Sequence, residues 1–226
     1  MVHKSDSDEL AALRAENARL VSLLEAHGIE WRRKPPISVQ RVSVLSTNEK
    51  VALFRRLFRG RDDVWALRWE SKTSGKSGHS PACANELQAR ICGNPRKKCG
   101  DCAHRQLIPV SDLVIYYHLA GTHTAGMYPL LEDDSCYFLA VDFDEAEWQK
   151  DASAFMRSCD ELGVPAALEI SRSRQGAHVW IFFASRVSAR EARRLGTAII
   201  SYTCNRTRQL RLGSYDRLFP NQDTMP

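Results

Sequence analysis

Two aspartates one residue apart, Asp142 and Asp144, close the apolar run Tyr137-Phe138-Leu139-Ala140-Val141. Such a run reads as a buried strand, and charges at its end are unfavourable unless they serve a ligand. Residues i and i+2 of a strand share a face, so both carboxylates lie on one side. Side by side they repel, and a divalent metal is the usual means of keeping both ionised. Taken alone, the motif also fits a solvated strand end leading into an acidic helix start at Glu145 and Glu147.

The downstream elements favour the first reading. Trp148, Ala152, Phe155, Met156, Cys159 and Leu162 recur at helical spacing, predicting a helix over Glu147–Leu162 that Gly163 and Pro165 stop. A strand over Ala166–Ser171, a polar turn over Arg172–Gly176 and an aromatic, β-branched strand over His178–Phe183 predict a hairpin. Ser188 to about Thr207 reads as a helix, with Ala189, Ala192, Leu195, Ala198 and Ile199 on one side and Arg190, Arg193 and Arg194 on another. A short strand over Leu212–Tyr215 completes βαββαβ, the split arrangement of ferredoxin-like and RNA-recognition folds.

In such a sheet the first and third strands are central and antiparallel, and the fourth flanks the first. The end of the Asp142 strand then lies beside the start of the His178 strand, and near Asp216 at the start of the fourth. Three carboxylates and a histidine converge, a set suited to two-metal phosphoryl chemistry. A lone histidine opening a strand is otherwise an ordinary surface residue.

The motifs Asp142-Phe143-Asp144, Ser171-Arg-Ser-Arg-Gln-Gly-Ala-His178 and Ser214-Tyr-Asp216-Arg-Leu-Phe-Pro220 resemble, in order and spacing, those of archaeo-eukaryotic primases. The wording Tyr128-Pro-Leu-Leu131, Phe138-Leu-Ala-Val-Asp-Phe-Asp144, Gly176-Ala-His-Val-Trp-Ile-Phe-Phe183 and Tyr215-Asp-Arg-Leu-Phe-Pro-Asn-Gln-Asp223 resembles the primase domain of TOTE conflict systems, often fused to helicases. The resemblance covers roughly residues 45–226, with two departures. Arg174 stands where a glycine is expected, and such domains usually continue into further sheet beyond the position of Pro226.

The resemblance implies an α+β, two-lobed archaeo-eukaryotic primase fold with an RRM-like βαββαβ catalytic core over 136–226. It implies a primase-polymerase nucleotidyltransferase acting on nucleoside triphosphates and a single-stranded DNA or RNA template, with a helicase as partner or fusion. Asp142, Asp144 and Asp216 are then ligands of two magnesium or manganese ions, with Asp223 the other candidate for the third carboxylate. His178, Ser171 and Ser173 would contact the triphosphate. Arg172 and Arg217 would help as guanidinium forks matched to phosphate oxygens.

A second chemical signal is Cys83-x8-Cys92-x6-Cys99-x2-Cys102, four of the seven cysteines within a loop-rich stretch. The cluster predicts a structural four-cysteine zinc site in an insertion over 79–105, with His79 or His104 as substitutes for one ligand. Free cysteines in a loop are the alternative. Without a secretory signal the cluster is not read as disulfide-bonded, and the expected location is cytoplasmic. Cys136, Cys159 and Cys204 lie in apolar periodic segments and read as core. Ser74-Gly75-Lys76-Ser77 is not a phosphate loop, because Glu70 occupies the position of the required earlier glycine and no apolar strand feeds it. It reads as a flexible basic surface loop that fits no packed element.

At the N-terminus, Leu10, Asn17 and Leu24 fall at heptad position a, with Leu13 and Leu20 at d. They predict a coiled-coil helix over Glu9 to about Ala26, within a unit spanning 1–30, that forms a homodimer or folds back on the domain. A linker over 31–45 follows, then the primase-polymerase domain over 46–226, opened by the capping box Ser46-Thr47-Asn48-Glu49 for a helix through Phe58. The net charge of +5 is modest, but basic residues cluster at 55–61, 96–98 and 190–194, which suggests polyanion contact. No run is long enough to cross a membrane. Two rival functions use the same residues: an RNA-recognition-like binding module with a zinc knuckle, and a metal-dependent nuclease.

Overall fold

The structure, a computed structural model, describes residues 4–28, 44–71, 73–86, 88, 90–93, 97–144, 147–206 and 213–225. It divides into two units, Met1–Val44 and Leu45–Pro226. The first contains α1 (Lys4–Ala26), which starts before the expected Glu9; Gly28 follows in the left-handed conformation at φ +66. Leu13 and Leu20, the d positions, are exposed. Most of the expected linker, residues 31–43, lies outside the described residues.

The second unit begins with α2 (Thr47–Leu57), whose Ser46 and Glu49 form the reciprocal capping box. Strands β1 (Ala66–Glu70) and β2 (Ser77–Pro81) follow, then a single 3-10 turn at Cys99–Asp101, helix α3 (Asp112–Leu119) and the short β3 (Ala125–Gly126). These strands form one sheet in the order β2-β1-β3. The Ser74-to-Ser77 stretch is the tip of the β1–β2 hairpin, and Ser77 is already in β2. A packed element therefore contains part of what reads as loop from composition. Backbone pairing of Glu70 with Ser77 overrides the weak strand preference of Gly and Ser.

The remaining elements are β4 (Ser135–Asp144), α4 (Trp148–Glu161), β5 (Ala167–Ile170), β6 (Gly176–Ser188), α5 (Ala189–Arg206) and β7 (Tyr215–Phe219), forming a four-stranded sheet in the order β5-β6-β4-β7. Alternation along β4 and β6 gives the sheet two different faces. Leu139, Val141 and Phe143 of β4 and Ala177, Val179 and Ile181 of β6 pack with Trp148, Ala152, Phe155 and Cys159 of α4 and Ile199 of α5. Burying side chains such as Phe143 and Leu139, each 0% exposed, stabilises the fold by roughly 1.5–3 kcal/mol apiece.

Two details differ from the sequence reading. The last strand is Tyr215–Phe219 rather than Leu212–Tyr215, and Leu212 lies outside the described residues. Pairing of Arg217 and Tyr215 with β4 carries the charged Asp216 between them into the strand, a residue that propensity disfavours there. The buried stripe of α5 runs Ala189, Ala192, Gly196, Ile199 and Thr203, leaving Ala198 exposed. Gly196 lies on it because Leu139 and Leu218 approach to 3.0 Å of where its Cβ would stand.

The small lobe covers part of the face opposite the helices. Phe58, at the end of α2, meets Trp180, Phe182 and Phe138 edge-on at 4.9, 5.4 and 6.1 Å between ring centroids. Arg59 lies over the Tyr137 ring at 3.9 Å, and Arg172 donates to Thr124 Oγ1 at 3.2 Å. No helix among the described residues is long and apolar enough to cross a membrane.

His118 of α3 accepts the Ala125 N–H at Nδ1, 3.2 Å away, tying α3 to β3. Burial, aided by His123, depresses its pKa below the ordinary 6.5. The unfolded chain therefore binds the proton more readily, so this contribution to stability is present above 6.5 and lost as pH falls through the folded value. His118 should thereby lower the melting temperature as pH falls from about 7 to about 5.5, against the opposite pull of His178, whose pKa is raised. His118→Asn, which keeps an acceptor but cannot ionise, should flatten that slope; thermal melts of both proteins across this window are the check.

Candidate active site

Antiparallel pairing of β4 with β6 sets Asp142 opposite His178 and Asp144 opposite Gly176. On the other side of β4, Asp142 faces Arg217 and Phe143 faces Tyr215, so the register slips by one residue at Asp216. That extra residue is a bulge, and bulges re-aim side chains that regular alternation would send to the other face. One carboxylate oxygen from each of Asp142, Asp144 and Asp216 lies within 4.8 Å of the other two. Asp142 is half-buried and the other two are exposed. Asp223 is elsewhere: it pairs with Arg193 at 2.8 Å and Arg190 at 3.8 Å.

The electrostatics are those of an incompletely compensated acidic cluster. Burial pushes the Asp142 carboxyl above its usual range, and Asp144 and Asp216 push it further, while His178 and Arg217 oppose the shift. His178 sits between two acids, with Nε2 3.5 Å from Asp142 Oδ1 and Nδ1 3.5 Å from Glu169 Oε2. Glu169 above all holds the pKa of His178 above its ordinary value, against the effect of burial. At 3.5 Å the Glu169 contact is an ion pair, and Nδ1 has no well-formed hydrogen bond. Arg217 pairs with Asp216. An all-oxygen donor set at this spacing fits a hard divalent cation such as magnesium or manganese.

Two residues here escape the sequence reading. Glu169 sits opposite His178 on the edge strand β5 and accepts the Trp180 indole N–H at 2.7 Å. Asp151 is buried in the first turn of α4. The available signals were a carboxylate two residues before Ser171, sharing its strand face, and an aspartate within the apolar stripe of a helix.

The turn between β5 and β6 carries the other expected residues. Ser171 and Ser173 share a hydrogen bond at 3.0 Å between their hydroxyls. Arg172 points to Thr124 of the small lobe. Arg174 adopts φ +60, the left-handed conformation that explains why a glycine is expected there. Gly176 follows, and a Cβ on it would overlap the Asp144 carboxylate and stand 2.7 Å from the Phe143 carbonyl oxygen.

Away from the trio, Cys83, Cys92, Cys99 and Cys102 line one small cleft together with Glu86 and His104, whereas His79 lies on β2. All four are free thiols. Burial pushes the Cys99 thiol up, and nearby Cys92, Cys83, Glu86 and Cys102 add to it. Among the described residues, only the aspartate trio is gathered closely enough to hold an ion as it stands. The thiols share a cleft without being drawn into ligating distance.

Gly176→Ala should therefore displace the Asp144 carboxylate and press on the Phe143 carbonyl of β4. Manganese binding followed by electron paramagnetic resonance should weaken about tenfold, or ~1.4 kcal/mol, with the melting temperature also lowered.

Residues 49–226 match the family model of the archaeo-eukaryotic primase domain of the TOTE conflict system. A search of curated proteins finds no match. Among solved structures, the chain is similar to the polymerase domain of Mycobacterium tuberculosis ligase D in complex with DNA, at 12% identity and a TM-score of 0.42. That similarity covers 73% of this chain and spans 65% of the ligase D chain. With most of its length matched by the family model, the chain belongs to the archaeo-eukaryotic primase family of TOTE conflict systems, a family of nucleotidyltransferase type.

Proposed function

We propose that this protein is a metal-dependent primase-polymerase that makes or extends nucleic acid on a single-stranded template. The observation that carries the proposal is the meeting of Asp142, Asp144 and Asp216 within 4.8 Å on one sheet face, beside His178. The three carboxylates would hold two magnesium or manganese ions. When bound, such ions supply a lowered hydroxyl pKa at the attacking 3'-oxygen and charge neutralisation for the departing pyrophosphate.

The protein's own groups do the remaining work. His178, whose pKa is raised by its acidic neighbours, is suited to donate a hydrogen bond to a triphosphate oxygen rather than to ligate magnesium, which prefers oxygen. Ser171 and Ser173 offer hydroxyl donors from the adjacent turn. Arg217, paired with Asp216, lies where it can shift to phosphate, while Arg172 braces the turn against Thr124.

The strand order of the core is that of an RNA-recognition-like module, but its aromatic face does not favour the binding-only rival. Base-stacking platforms need open rings. Here Phe58 covers Trp180 and Phe182. Dependence on nucleoside triphosphates separates polymerisation from the nuclease reading. A helicase partner, and pairing of two chains through α1, complete the proposal.

The Cys83, Cys92, Cys99 and Cys102 thiols form a donor set that suits zinc in a structural role, with the cleft closing as the sulfurs converge. Elemental analysis should find about one zinc per chain, lost in a Cys99→Ser/Cys102→Ser double variant that still binds manganese at the aspartates. Zinc-free protein purified under metal-replete conditions would refute this.

Asp142→Ala or Asp144→Ala should lower template-directed nucleotide incorporation at least about a hundredfold, or ~2.7 kcal/mol, with little change in melting. Primer extension with magnesium or manganese, with and without primer, is the measurement. Wild-type incorporation by the Asp142→Ala/Asp144→Ala double variant would overturn the enzymatic reading.

A further inference from the structure

Asp151 is a carboxylate in the wrong place for a solvated charge. It is 3% exposed and lies on the face of α4 that Trp148, Ala152 and Phe155 bury. A buried carboxylate is strongly unfavourable unless donors satisfy it. Among the described residues, the donors it meets belong to Ser214, which gives its hydroxyl at 2.9 Å and its backbone N–H at 3.3 Å, both to Asp151 Oδ2. Ser214 is likewise 3% exposed.

Ser214 is the junction of the aspartate trio. Its carbonyl accepts the Asp144 N–H at 2.7 Å, so it is bonded to the backbone of one member. It stands two residues before Asp216, and Tyr215 between them pairs with Phe143 next to the bulge. One buried side chain thus grips Ser214, which accepts the Asp144 N–H and stands two residues before Asp216. Without that grip, the bulge is free to relax toward regular alternation, which would turn Asp216 away from the other two.

We infer that Asp151 is a positioning residue for the carboxylate trio, acting through Ser214 to hold Asp144 and Asp216 at cation-binding separation. The inference rests on the metal reading proposed above. It adds a residue that touches neither the ion nor the substrates.

The test measures manganese binding by electron paramagnetic resonance, thermal melting and the manganese dependence of nucleotide incorporation. It uses the full chain as wild type, Asp142→Ala, Asp151→Ala, Asp151→Asn and Ser214→Ala. Asp151→Ala should raise both the manganese dissociation constant and the half-saturating manganese concentration about tenfold, the range typical for residues that orient metal ligands. Asp151→Asn keeps an oxygen for the Ser214 hydroxyl and should recover most of that loss. Ser214→Ala keeps only the backbone donor and should lose several-fold. Manganese affinity within about twofold of wild type in Asp151→Ala and Ser214→Ala, even with lowered melting temperatures, would make Asp151 a core anchor and overturn the inference. Should Asp151→Ala fail to fold, Ser214→Ala decides by the same criterion. Wild-type binding that is lost in Asp142→Ala but kept in the Asp151 variants sinks this inference alone. Absence of binding in wild type, or its survival in Asp142→Ala, sinks the metal reading and this inference with it.

Discussion

Three carboxylates held within 4.8 Å of one another set the terms for the rest of the four-stranded sheet. Each pair repels by roughly 1 to 3.5 kcal/mol, between the limits for bulk water and for the protein surface. Free side chains would relieve that repulsion by swinging apart, so the backbone must deny them the choice. Strand β4 does so because it is hydrogen-bonded on both edges, to β6 and to β7. Asp142 and Asp144 cannot rotate to the other face without reversing the register that buries Leu139, Val141 and Phe143. The counterweights, His178 and Arg217, come from the two flanking strands at the same level as Asp142.

The face that carries the acids is divided along its length. At one end Phe138, Trp180 and Phe182 meet Phe58 from α2, which docks the small lobe through aromatic contact. At the other end the same alternation exposes Asp144 and leaves His178 half-buried beside the β5–β6 turn. The small lobe reaches that end too, where Thr124 takes the Arg172 guanidinium. Apolar contact thus ties the two sheets together at one end, and the acids occupy the other.

The helical side of the sheet supports the aspartate trio from behind. Most of α4 packs as an ordinary amphipathic helix, yet its first turn places Asp151 against Ser214, where β4 and the segment entering β7 meet. The bulge at Asp216 is a local departure from ideal pairing, and such departures persist when surrounding bonds over-determine them.

Much of this was legible in the residues alone. The apolar run of β4, the β-branched and aromatic run of β6, the helical stripe of α4 and the capping box at Ser46 are local signals, and each appears as its element. Convergence of Asp142, Asp144, Asp216 and His178 also followed from sequence, because the order βαββαβ constrains which strand ends are neighbours. Other features came only with the tertiary structure. In the β2-β1-β3 sheet, β2 is rich in Gly, Ser and Pro, and its strand character comes from its pairing with β1. The one-residue slip at Asp216 leaves no mark in composition, since it depends on how β7 meets β4. Which carboxylate joins Asp142 and Asp144 was open between Asp216 and Asp223; ion pairing with Arg193 takes Asp223 away. Sequence by itself determined which groups carry charge and in what order the strands come. Only packing decided the angstrom-scale separations, because those depend on register and bulges set by contacts between residues far apart in the chain.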